Sequence, residues 1–223
     1  VMSVVAVVLM QYVHSPGPAP RAQRAAVLAD IKVGVRYVLA SSQLRAIMIL
    51  LLSVFLFVHT VTFLLPAIVT DVYQKESEAY GALVSMQGVG ALVGAIVFAG
   101  LASFRRGKLL IYSCVLTGLA LMALSLVPVY LAALAIMSVV GVGEAGRRIF
   151  SLALLMQQAE DRFRGRVVSI QVMMVGLMPL VTLPSGVALD LLGAQVTVGL
   201  LAAAMLATAL FVLFTQRSLL KLQ

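Results

Sequence analysis

Charge is what this sequence is short of. Asp, Glu, Lys and Arg make up 11% of its 223 residues, against about 25% in an ordinary soluble domain. Apolar residues make up 62%, and the mean hydropathy is +1.11. Too few polar residues remain to coat a water-facing surface around such a core. That excludes a soluble enzyme and makes lipid the solvent for most of the chain. Cysteine is nearly absent too: Cys114 stands alone, so the sequence holds no internal disulfide and no multi-cysteine metal site. The two histidines, His14 and His59, have no ligand spacing, and no phosphate-cradling Walker loop occurs. No metal and no cofactor are expected.

Apolar runs are what the sequence has instead. Six are long enough to cross a bilayer, which takes roughly 20 helical residues. They fall at about 45–70, 79–103, 108–127, 129–156, 167–189 and 194–214. Residues 1–12 are apolar but too short to cross, and read as the end of a truncated transmembrane helix. Residues 13–44 read as a linker: Pro16, Pro18 and Pro20 break the chain. A helical stripe of Val27, Leu28, Ile31, Val35, Val38 and Leu39 follows, the pattern of an amphipathic helix on a membrane surface. Residues 45–214 form the six-helix domain and 215–223 a tail. Pro66, Pro179 and Pro184 are expected to bend the first and fifth spans.

The net charge of +8 acquires a meaning once the turns are sorted by side. With six spans alternating in direction, every basic residue except Lys75 falls on one side, while Asp71, Glu76, Glu78 and Asp190 fall on the other. Basic loops mark the cytoplasmic face, so this excess is topological and no nucleic-acid partner is expected. Tyr12, Tyr73, Tyr80, Tyr112 and Tyr130 lie near predicted helix ends, where amphipathic rings meet headgroups.

The turn after the second span reads Gly100-Leu-Ala-Ser-Phe-Arg-Arg-Gly107-Lys108. It resembles the signature loop of the major facilitator superfamily, with two spaced glycines and basic residues Arg105, Arg106 and Lys108 around the second. The family's acidic fifth position is Phe104 here, so the acidic member of the closed-gate lock is missing. Arg164-Gly-Arg-Val-Val-Ser169 and Gly34-Val-Arg-Tyr-Val38 resemble the bacterial efflux branch that includes enterobactin-type exporters. The resemblance implies an all-α integral membrane fold, the C-terminal six-transmembrane-helix half of a carrier with an inverted 3+3 repeat. An amphipathic cytoplasmic helix would precede it, and an N-terminal six-helix half would be missing from this sequence. It implies a multi-pass protein of the bacterial inner membrane. It further implies a central cavity lined by spans one, two, four and five, with spans three and six peripheral. Gly186 and Gly193 repeat the spacing of Gly100 and Gly107 at the opposite face, as an inverted repeat would leave them.

Ionisable groups inside a span usually face a protein interior or an aqueous path. His59 is either a proton or substrate group or a neutral ring bonded to a nearby carbonyl. Glu144 precedes Arg147 and Arg148 by three and four residues, which places all three on one helix face. They read as an internal ion pair, as a cavity-edge site for an anion, or as a carboxylate that protonates during transport. Gln87 and Gln171 bond either a substrate or a neighbouring helix. Gly90 and Gly94 form a G-x-x-x-G contact, and Met173, Met174 and Met178 offer either a pliable apolar wall or ordinary packing. Thr197 and Thr208 leave the sixth span suited to lipid.

The function that fits is a secondary active transporter: proton-coupled efflux of a small amphipathic molecule, drug- or siderophore-like, by alternating access. The alternative is the membrane subunit of an exporter powered by a separate ATPase, against which the short basic-side turns argue. A membrane enzyme finds no support, because no nucleophile–base or carboxylate cluster is present.

Overall fold

The computed structural model describes residues 24–76, 78–101 and 105–215. The expected truncated helix at 1–12, the proline break, Phe104 and the basic tail residues lie outside the described residues. Among those described there is no strand. The helices are α1 (Arg24–Ala40), α2 (Ser42–Asp71), α3 (Glu78–Gly100), α4 (Arg106–Leu126), α5 (Tyr130–Gln158), α6 (Asp161–Met173), α7 (Pro179–Leu192) and α8 (Ala194–Thr215). A 3₁₀ turn, Met174–Leu177, joins α6 to α7. Counting α6 through α7 as one span, six helices are long and apolar enough to cross a membrane.

Hydropathy places these helices within a few residues of their expected ends, except the fifth. There the expected start at 167 moves back to Asp161, because Arg162, Arg164 and Arg166 sit on helix. Arg164 pairs with Asp161 one turn away at 2.7 Å, so the polar turn is stabilised in place. The bend expected at Pro179 appears as the 3₁₀ turn preceding it, with Pro179 as the first residue of α7. Proline lacks an N–H and clashes with the preceding turn, so it is best accommodated where a helix begins. Pro66 and Pro184 lie inside α2 and α7.

Packing follows small residues. α3 buries only Leu83, Gly90 and Gly94 within this chain. A side chain at Gly90 would collide with the Ser138 carbonyl of α5, and one at Gly141 with the Gln87 carbonyl of α3. Gly94 lies against Val142 in the same way. The two backbones therefore touch, which only glycine allows. On its other side α5 packs against α4, and α4 packs against α8. α2 joins α8 through a Ser53–Thr208 hydroxyl contact and α7 through a Thr60–Thr182 hydrogen bond of 3.2 Å. Thr208 and the buried Thr197 are turned inward, while Val196, Leu200, Leu210, Phe211 and Phe214 leave the other face of α8 exposed. Between α7 and α8, Gly193 holds φ +82°, a backbone conformation that other residues rarely adopt.

The buried face of α1 is Gly34 and Val38 with half-buried Ile31 and Tyr37, while Val35 and Leu39 are exposed. Val27 and Leu28 have side chains outside the described residues. This face meets α6: Gly34 lies against Arg166 and Ile170, and the Tyr37 ring stacks on Phe163 at 4.1 Å. Tyr73 and Tyr130, both near helix ends as expected, also join turns. Tyr73 is buried, its hydroxyl donates to the Val127 carbonyl, and Tyr130 donates to Ala79 at 2.9 Å. The end of the bundle away from these tyrosines carries Arg45, Arg105, Arg106, Lys108, Arg162, Arg164 and Arg166.

The glycine contact makes a selective prediction. Gly141→Leu or Gly90→Val should abolish the monodisperse peak in detergent size-exclusion chromatography, since overpacking against backbone costs about 1–3 kcal/mol or more. Gly81→Ala, with nothing within 4 Å, should leave that peak unchanged.

Candidate functional site

Two adjoining clefts open on one side of α2 and α5. The first, of about 510 Å³, is walled by Val58, His59 and Thr62 of α2, Val84, Gln87 and Ala91 of α3, and Gly141, Glu144 and Arg148 of α5. The second, of about 380 Å³, lies between Leu51, Phe55 and His59 of α2, Arg147 and Arg148 of α5, and Val168, Gln171 and Met174 of the fifth span. His59 and Arg148 belong to both. All six residues singled out from the sequence as substrate or proton pathway (His59, Gln87, Glu144, Arg147, Arg148 and Gln171) are thus brought to one region. Spans three and six contribute nothing to either cleft, as the resemblance implies.

Glu144 is the middle residue of α5 and is buried. Arg147 Nε donates to its Oε1 at 2.9 Å and Arg147 Nη2 to its Oε2 at 3.0 Å, so both carboxylate oxygens are engaged. A fork-to-fork pair of this kind fixes both side chains. Each ion would be expensive alone in a dry interior, and removing one partner typically costs about 3–5 kcal/mol. Arg148 is held more loosely: its Nε is 3.7 Å from Glu144, and 69% of its side chain is exposed. The structure therefore realises the expected ion pair with Arg147 and leaves the second arginine facing the clefts.

His59 Nδ1 donates to the Phe55 carbonyl at 3.1 Å, and its ring lies tilted against the Phe55 ring at 4.3 Å. The carbonyl thus fixes the tautomer, leaving Nε2 as the acceptor on a neutral ring. The bond to a nearby carbonyl that the sequence allowed is present, and the ring still lines both clefts. Met174 walls the second cleft, whereas Met173 and Met178 wall neither.

Sequence reasoning missed what stands behind the ion pair. Gly141, Gly143 and Gly146 surround Glu144 on α5. A side chain at Gly143 would strike the Thr117 hydroxyl, and one at Gly146 the Ser113 hydroxyl and the Phe98 ring. These glycines draw α3 and α4 against the charged stretch and exclude bulk solvent from its back. The G-x-G-E-x-G spacing was the signal. Thr62 was also missed; its hydroxyl donates to Val58 at 3.0 Å beside the first cleft.

The signature-loop residues stand apart from the clefts. Gly100 ends α3, exposed Arg105 caps α4, and Arg106, buried Gly107 and Lys108 begin it. Among the described residues no group of three or more His, Cys, Asp or Glu could hold a metal ion.

Residues 1–221 match the family described as transmembrane secretion effector. No curated protein and no solved structure matches the chain. The family's members are transporters and not enzymes. Six apolar helices, a mid-helix ion pair beside two clefts and a match over nearly the whole length meet in one conclusion: the chain is a multi-pass membrane protein that belongs to the transmembrane secretion effector family of major facilitator transporters.

Proposed function

We propose that the chain forms one six-helix half of a proton-coupled exporter that moves a small amphipathic molecule by alternating access. In this reading residues 45–214 are the transmembrane half, and residues 13–44 link it along the cytoplasmic face to a second half. Residues 1–12 end that second half's last helix, and residues 215–223 form a cytoplasmic tail. The membrane is the inner membrane of a bacterium, and the cargo is drug- or siderophore-like. Gly100, Arg105, Arg106, Gly107 and Lys108 serve as the gating loop of the cytoplasmic side.

The observation that carries this reading is the position of Glu144 and His59. Both sit close to the middle of their helices and share the wall of the first cleft. Secondary carriers place their substrate and coupling-ion sites at this depth, at the seam between packed helices. His59 offers Nε2 as a free acceptor on a ring that lines both clefts. Glu144 offers a carboxylate whose protonation would release Arg147, altering the charge that the clefts present. One proton crossing 100 mV supplies about 2.3 kcal/mol, enough to bias a two-state carrier.

The test is reconstitution of the full-length carrier into liposomes with an imposed pH gradient, using a catecholate siderophore and a lipophilic dye as probes. Glu144→Gln and His59→Ala should each cut gradient-driven transport at least tenfold. Unchanged coupling in both variants would remove these residues from the mechanism.

Topology is tested separately. In a Cys114→Ala background, single cysteines at positions 105 and 162 should react with an impermeant maleimide only from the cytoplasmic side. Cysteines at 75 and 190 should react only from outside. Labelling of 105 and 162 from opposite sides would overturn the arrangement.

A further inference from the structure

The charges around the two clefts do not balance. Both oxygens of Glu144 are engaged by Arg147, so that buried pair presents no net charge. His59, bonded through Nδ1 to a carbonyl, is neutral in its unprotonated form. Arg148 remains, with only a 3.7 Å approach to a carboxylate that already has a partner. The other lining groups are amides, hydroxyls and apolar side chains, and no second carboxylate lines either cleft.

Depth makes that imbalance informative. Arg148 is four residues beyond the middle of α5, or ~6 Å at 1.5 Å per residue. With this ~43 Å helix centred on a hydrocarbon slab about 30 Å thick, that position falls within the slab, in its basic-side half. An arginine so placed is costly against lipid and belongs on an aqueous path or beside an opposite charge. Its guanidinium is also the one positive group that borders both clefts together with His59. A bound molecule with its head at Arg148 would have its body against Val58, Val84, Ala91 and Ile149 in the first cleft. About 510 Å³ is within the range of small-ligand sites.

We infer that the transported molecule is an amphipathic anion whose carboxylate or comparable acidic group binds the Arg148 guanidinium, with its apolar body in the first cleft. Arginine suits this task because its planar fork meets a carboxylate through two parallel hydrogen bonds and stays charged at every relevant pH. The Glu144–Arg147 pair then sets selectivity from behind, holding a negative group close enough to keep Arg148 extended but too well answered to expel an anion. This inference rests on the exporter reading for the direction and drive of transport, and on the clefts alone for the charge of the cargo.

The experiment separates the two. The full-length protein is placed in phosphatidylcholine nanodiscs, and binding of dansylated undecanoic acid and of its primary amide is measured by fluorescence polarisation. The carboxylate should bind at least tenfold more tightly than the amide. Arg148→Gln should bring the two affinities within threefold of each other, and Arg148→Lys should keep most of the difference. A wild-type ratio below threefold would overturn the inference and place Arg148 in an ion pair with another part of the carrier. A ratio that survives Arg148→Gln would overturn it as well. Should Arg148→Gln fail to fold, the wild-type ratio and Arg148→Lys still decide. Loss of gradient-driven transport with the affinity ratio intact would sink the exporter reading and leave the cargo's charge standing.

Discussion

A glutamate and an arginine held one turn apart, in the middle of a helix that crosses hydrocarbon, constrain everything near them. Neither ion is tolerable there alone, and lipid offers no hydrogen bonds in exchange. The Glu144–Arg147 fork satisfies the carboxylate within α5 itself, without borrowing a partner from another helix. That leaves the neighbouring helices free to pack by shape. It also explains why the surrounding residues are small: an ion pair is shielded best by backbones that come close, and glycines at 141, 143 and 146 allow that on two sides.

Close approach then decides the layout of the bundle. α3 meets α5 backbone to backbone, and α4 closes over the opposite face of α5 through Ser113 and Thr117. Both hydroxyls donate to carbonyls of their own helix, so they add no unpaired polar atom to the interface. α2 faces the open side of α5, and the clefts form where its side chains cannot fill the gap. The basic residues that begin α4 oppose its dipole, which favours negative charge at a helix N-terminus. In the proposed topology the preference of basic residues for the cytoplasmic side outweighs that term of about 0.3–1 kcal/mol.

The spans were legible in the sequence because hydropathy over some 20 residues is a strong and local signal. The site was legible for a related reason: His59, Glu144, Arg147 and Arg148 stand out against an apolar background, and helical spacing alone groups the last three. Which face of each helix is buried was far less legible. α3 and α8 are apolar all round, so their periodicity does not distinguish lipid from protein, and small residues carry that information instead. Gly90 and Gly94 announced the α3 contact, but their partner Gly141 could be identified only once the helices were paired. The contacts of Tyr73 and Tyr130 were not legible, because a ring near a helix end fits a headgroup and a turn equally well. The stripe on α1 did not show that α6 would meet this helix through Gly34 and Tyr37, and it leaves Val35 and Leu39 exposed.

The broken fifth span shows the same constraint at its limit. Backbone that leaves the α-helical pattern at membrane depth is tolerated where it is covered by protein or lines a cavity. Here Met174 and Val175, inside the 3₁₀ turn, line the second cleft directly beside Gln171. On one side of the turn α6 is bound to α1 through the Tyr37–Phe163 stack. On the other, α7 is bound to α2 through Thr60 and Thr182. The irregular turn therefore falls between two separately anchored pieces and opposite the arginines of α5. Pro179 and Gly176 make the straight α-helix unfavourable at this point, and the cleft makes the alternative affordable. Sequence chemistry and cavity position select the same few residues.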